Sequence, residues 1–151
     1  MGYEIVDATY DLALDLRSRL RDLDLRECTG QGMSLRRMIH KTFKSSLYAQ
    51  AAVSDGKCIA MWGVCGPMLG DDGIPWLLTA AEVEKFPVSF IREARKAVSG
   101  LLDIKPHLEN YVLSDYKQAV KMLSMVGFSI DQPKWVSPSG DVYRRFWMKR
   151  D

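Results

Sequence analysis

The sequence offers little from which a metal centre or a disulfide framework could be built. It has three cysteines, Cys28, Cys58 and Cys65, an odd number with no CxxC pair, and two histidines, His40 and His107, far from that spacing and from each other. A structural metal is therefore not expected, and the thiols read as reduced. Charge of one sign is also missing: 21 Lys+Arg stand against 19 Asp+Glu, and the basic residues are spread through the helices, so nothing marks a nucleic-acid partner. No apolar segment approaches membrane length, and the N-terminus MGYEIVDATYDLALDL has acidic residues where a signal peptide needs basic ones. The chain reads as soluble and unprocessed. Repeats, linkers and low-complexity tracts are lacking too.

What remains is a sequence of 151 residues, 47% hydrophobic, enough for one domain over residues 1–151 with a core of its own. Tyr3 to Val6 suits a short strand. Asp7 or Thr9 caps a helix carrying leucines at 12, 16, 20 and 23, with Leu14 and Leu25 off the stripe, ending before Gly30 and Gly32. Ser34 caps a second helix, whose apolar face is Leu35, Met38, Ile39 and Phe43. LYAQAAV (47–53) and CIAMWGVC (58–65) flank SDGK, an Asp-Gly turn that predicts a tight antiparallel hairpin. After the glycine- and proline-containing GPMLGDDGIP comes the apolar run WLLTA (76–80), read as a buried strand.

Pro87 is placed for the first turn of a long helix with Phe90, Ile91, Ala94, Ala97, Val98, Leu101 and Leu102 at core spacing, and Pro106 ends it. LENYVL (108–113) is the next strand, with His107 in the turn before it. The stretch DYKQAVKMLSMVGF (115–128) reads as a helix capped by Asp115 and closed by a left-handed Gly127. FSI and VYRRFWM (142–148) supply two final strands across SPSGD. The order β-α-α-β-β-β-α-β-α-β-β predicts an α/β (α+β) fold, a mixed, mostly antiparallel central sheet with helices on both faces.

That order, together with the helix ending in Gly127-Phe128, resembles the GNAT acyltransferases over essentially the whole chain. The resemblance implies acetyl-CoA as cofactor, its pantetheine arm lying between splayed fourth and fifth strands and its pyrophosphate cradled by a glycine-bearing loop at the next helix N-terminus. It places Leu78, Thr79, Lys85, Ser89 and Arg92 as the cofactor-binding candidates. This sequence departs from the pattern in two places. TAAEVEKFPVSF (79–90) has no glycine where the family has Arg or Gln, two residues, Gly, one residue, and Gly or Ala, and it sets Glu82 and Glu84 near the expected pyrophosphate. Like charges about 4 Å apart repel by about 4 kcal/mol at an effective dielectric of about 20, so the two carboxylates are either an obstacle or simply first-turn helix residues. In the second motif Ala119, Gly127 and Phe128 match, Met122 stands at the Leu, and Leu123 stands at the tyrosine that commonly protonates the leaving thiolate. Tyr116, at the motif's Asn position, and Asp115, beside the end of strand five, are the remaining candidates for a catalytic role.

A narrower resemblance lies inside that fold. PWLLTAAEVEK, PVSFIREARKAV, LENYV and the GF-terminated helix look like the internal virion protein A family of small podophage proteins, with the similarity carried by Asp55 to Phe128. It implies a non-catalytic or weakly catalytic phage protein serving particle assembly or infection through contacts with phage or host proteins, in the host cytoplasm or the virion. Such a protein is expected to fill the gap with side chains and to ignore acetyl-CoA. The alternative is an N-acyltransferase with an atypical pyrophosphate site built from Lys85, Arg92 or Arg95.

Other chemistry has weaker support. Cys58 and Cys65 sit among strand hydrophobics, where thiols are inert, and His40 shares a solvated face with Arg36, Arg37 and Lys41. Glu109 and Asn110 alternate faces, so at most one meets the gap. Trp62, Trp76, Trp135 and Trp147 read as sheet packing, with Trp76 placed to shape or plug the gap.

Overall fold

The computed structural model describes residues 2–20 and 35–150. The expected cap Ser34, Cys28 and the leucines at 23 and 25 lie outside the described residues. Strands β1 (Glu4–Asp7), β2 (Ser46–Ser54), β3 (Lys57–Cys65), β4 (Asp72–Thr79), β5 (His107–Leu113), β8 (Val142–Lys149) and β6 (Ser129–Ile130) follow one another in that order across a single eight-stranded sheet, with β7 (Trp135–Val136) also paired to β8. Every pairing is antiparallel except β4 with β5. The mixed, mostly antiparallel sheet expected from the sequence is what forms.

Local chemistry accounts for most of the boundaries. Helix α1 (Tyr10–Arg17) begins at Thr9, whose hydroxyl accepts the Leu12 N–H at 3.2 Å, so Thr9 rather than Asp7 is the cap. Leu20 lies beyond the helix, in a bridge to Ala80. Helix α2 is Leu35–Ser45. The hairpin closes as the Asp-Gly pair demands: Ser54 faces Lys57, and Asp55 and Gly56 have φ of 51° and 76°, the mirror-image turn that matches strand twist. Helix α3 (Pro87–Ile104) has its proline in the first turn, where no N–H is needed. Helix α4 (Lys117–Val126) ends on Gly127 at φ 118°, with Phe128 N–H reaching Leu123 O at 3.0 Å and Gly127 N–H reaching Ser124 O at 3.1 Å. Gly127→Ala forces a side chain into that left-handed turn; we expect a loss of about 1 kcal/mol, seen as a fall of about 3 °C in the thermal midpoint.

Two cores pack on opposite faces. Ala13, Leu16 and Leu20 join Ile39 over Ala51, Met61 and Ala80, while Leu101, Leu123, Val126 and Phe128 cover Val64, Leu108 and Val112 on the other side.

The structure also corrects the sequence reading in five places. Strand β4 begins at Asp72, before Trp76, and carries Pro75 within it. Glu82 belongs to a short 3-10 helix, Ala81–Lys85, and not to the first turn of α3. His107 is the first residue of β5, paired with Lys149, and not a turn residue. Tyr116, not Asp115, occupies the N-cap of α4, and it makes no side-chain cap bond. The tail holds three strands rather than two, because Trp135 and Val136 add β7 against Tyr143 and Val142.

Candidate functional site

The parallel pairing of β4 and β5 lasts for two residue pairs, Asp72 with His107 and Gly73 with Leu108, and then the strands part. Pro75 explains the break. Its carbonyl accepts from the Asn110 side-chain amide at 2.6 Å and so faces β5; a strand residue's N–H lies on the same edge as its C=O, so the missing proline donor is missing on the β5 side. Asn110 spans the apex where a ladder bond cannot form. Its neighbour Glu109 turns the other way, to Arg145 Nε at 3.0 Å, as strand alternation requires.

Above Asn110 the gap opens into a cleft of about 690 Å³ between β4, β5, α4 and the start of α3. The filled gap expected of an assembly-only protein is not what forms. Leu78 and Thr79 lie in its wall, as does Tyr116, which is 2% exposed and packs with Leu113 and Tyr143. Asp115, Lys85, Ser89 and Arg92 are exposed and are not among the residues lining it. The Ser89 hydroxyl instead bonds Tyr3 at 2.6 Å. Arg95 is turned to α4, where its guanidinium donates twice to Met125 O. The polar groups toward the α4 side are Gln118 and Lys121, which helical spacing puts on one face but which no motif marks.

The lining is notable for its chemistry. Among the described residues it includes no aspartate, glutamate or histidine; its ionisable members are Cys65, Tyr111, Tyr116 and Lys121. Leu123 fills the proton-donor position with a core side chain, 9% exposed. Cys65 is no substitute, since burial pushes its thiol above the ordinary range and Sγ sits 3.5 Å from both Ser46 Oγ and Thr42 O. Burial likewise raises Cys58 to about 11. Trp76 does shape the cleft: its indole N–H donates to Ser46 Oγ at 2.9 Å, which holds the ring along the wall without closing the opening.

The Glu82 carboxylate near the expected pyrophosphate is accounted for by a residue the sequence reading passed over; the Glu84 side chain lies outside the described residues. Arg19 donates to Glu82 at 2.6 Å, to Asp15 at 2.7 Å and to the Cys58 carbonyl at 2.6 Å, while Cys58 N–H donates to Asp15 at 2.8 Å. The backbone N–H of Cys58, and after it Arg19, holds the Asp15 carboxyl below the usual range against the opposing effect of burial. Glu82 is thus tied to the segment just after α1, and its charge is compensated. The Asp15–Arg19 half of this hub shows in sequence as an i,i+4 pair; the Glu82 half, 63 residues away, does not.

The acyl-CoA site that the resemblance implies is therefore matched only in part. The gap where β4 parts from β5 has the form that the resemblance expects for a pantetheine arm. The pyrophosphate turn does not have its usual form, because a 3-10 helix without glycine stands where the cradle belongs.

No family model matches the sequence, and no curated protein matches it. Solved structures do match in three dimensions. The spermidine N-acetyltransferase of Vibrio cholerae, seen with CoA and spermine, aligns over 99% of this chain and 96% of its own at 10% identity and a TM-score of 0.67. The ribosomal-protein-S5-alanine acetyltransferase of Vibrio fischeri aligns over 100% and 94% at 10% identity and 0.68, and a GNAT-family acetyltransferase of Streptococcus pneumoniae over 99% of both chains at 13% and 0.63. With near-complete mutual coverage at TM-scores of 0.63, 0.68 and 0.67, the chain has the GNAT acetyltransferase fold.

Proposed function

We propose that this chain is a GNAT-fold protein that receives an acyl-CoA in the β4–β5 cleft but transfers the acyl group weakly or not at all. It is encoded by a phage and serves particle assembly or infection through contacts with phage or host proteins. One observation carries the chemical half: a cleft of about 690 Å³ whose described lining contains no carboxylate and no imidazole. When bound, the cofactor supplies a thioester carbonyl. Transfer to an amine forms a C–N bond and breaks the C–S bond, so the amine must lose a proton and the departing sulfur must gain one. With Leu123 at the donor position and no carboxylate or imidazole among the described residues that line the gap, the usual handlers of these two protons at pH 7 are missing. The biological half rests on the likeness of PWLLTAAEVEK, LENYV and the helix ending in Gly127-Phe128 to the podophage proteins.

The test separates binding from turnover. Calorimetric titration with acetyl-CoA is expected to show binding, while release of free CoA in the presence of a panel of amines stays at the protein-free hydrolysis rate. The N-acyltransferase alternative has one observation in its favour, the buried Tyr116 hydroxyl in the cleft wall. Amine-dependent CoA release abolished by Tyr116→Phe would establish that alternative and overturn the proposal. Charge reversal at Lys85 or Arg92 that weakens binding tenfold or more would give the pyrophosphate those side chains in place of loop amides.

A further inference from the structure

Behind the cleft, between the sheet and α3, lies a second cavity of about 80 Å³. Pro75, Leu77, Phe90, Met122, Leu123 and Phe146 line both, so the small cavity begins where the splayed strands end. Its far walls are apolar, formed by Ile5 and Ala52 of the sheet and by Ala94, Ala97 and Leu101 of α3. Four lining side chains carry a polar atom: the Tyr3 hydroxyl is engaged with Ser89 and the Trp76 indole N–H with Ser46, which leaves Glu93 and Trp62. Glu93 has Lys96 as its ion partner at 3.8 Å, and the indole N–H of Trp62 is buried without a hydrogen-bond partner among the described residues. The rest of the lining is apolar, so the cavity suits an apolar occupant better than ordered water, which wants two to four polar partners.

We infer that this cavity takes the aliphatic end of the acyl group, making the preferred ligand a thioester with a short chain longer than acetyl. The inference rests on the acyl-CoA reading of the cleft and adds to it the class of acyl group. Volume sets the length. A dry cavity of about 150 Å³ takes benzene, so about half that space holds about three carbons beyond the carbonyl, the length of a butyryl chain. Alanines at 94 and 97 face the cavity where larger core residues would fill it. An acetyl methyl leaves most of the space unused, and a chain of eight carbons exceeds it.

The experiment is a calorimetric series on the wild-type chain with CoA, acetyl-CoA, butyryl-CoA and octanoyl-CoA. Butyryl-CoA is expected to bind about tenfold more tightly than acetyl-CoA, the return on two further buried methylenes, and octanoyl-CoA no more tightly than butyryl-CoA. In Ala97→Leu, which fills the cavity, the ratio of butyryl to acetyl affinity falls toward one. Equal binding of the acetyl and butyryl esters overturns the inference while leaving the cleft as a CoA site, and so does affinity that keeps climbing through octanoyl-CoA. Silence toward all four ligands removes the acyl-CoA reading itself. Because the wild-type series decides the matter alone, a failure of Ala97→Leu to fold changes nothing.

Discussion

Arg19→Ala is expected to destabilise the protein by about 3 kcal/mol, measured as a drop in the urea midpoint at unchanged slope. The guanidinium is 22% exposed and Glu82 30%, so the pair is partly desolvated and its loss exceeds that of a surface ion pair while staying at the low end for buried ones. Removing Arg19 strands Glu82, takes a partner from Asp15, and leaves the Cys58 carbonyl one donor short. Asp15 keeps the Cys58 N–H, the larger cause of its lowered pKa. Its sign follows: a carboxyl with a folded pKa below 3.8 contributes stability above that value and loses it as pH falls through the folded pKa. Wild type and variant should therefore converge in acid. A penalty under 1 kcal/mol at pH 7, or one that grows as pH falls, would remove the hub from the account of how α1 is fastened to β3 and the 3-10 helix.

Gly63→Ala is expected to be as damaging for a different reason. A Cβ at this buried glycine would collide with the backbone carbonyl of Tyr48, lie 2.9 Å from the Trp76 ring and 3.0 Å from the Ala49 Cβ. The carbonyl belongs to the β2–β3 ladder and cannot step aside, so strand or indole must move, at about 3 kcal/mol. Trp76 is also a wall of the cleft and is anchored to Ser46. Gly63→Ala should thus weaken acyl-CoA binding together with stability, and red-shifted tryptophan emission in the folded variant would report the displaced ring. A variant with wild-type stability would show that the contact relaxes, and would deny Gly63 its role in seating Trp76.

The features legible in the sequence are those fixed by short-range rules. The Asp55-Gly56 hairpin, the helix behind Pro87 and the left-handed stop at Gly127 each follow from a residue's own backbone limits, and together they identify the fold. What escaped depends on partners distant in the chain. The 3-10 helix at Ala81–Lys85 has no periodicity to announce it, and Glu82 looked like a helix-start residue because Arg19 was invisible from its neighbourhood. The likeness to the podophage family suggested a filled gap; the open cleft follows instead from Pro75 and Asn110, two residues on different strands whose pairing sequence alone does not display. At the site, the absences were readable and the geometry was not: Leu123 declared the missing acid, but Lys85 and Ser89 gave no sign that they would lie outside the cleft wall.

The brevity of the β4–β5 seam has a mechanical consequence. Two antiparallel halves meet through two residue pairs, and three clasps cluster at that point: Lys105, 2% exposed, reaches the Gly70 carbonyl at 2.7 Å, His107 Nδ1 lies 2.7 Å from Asp72, and Asn110 holds Pro75. From Gly73 to Thr79 β4 leaves β5 but stays laddered to β3, a run of about 20 Å at the usual rise per residue. The seam is a fulcrum between the two halves of the sheet, so any turn of one half against the other is felt most at the far ends of β4 and β5, across the mouth of the cleft.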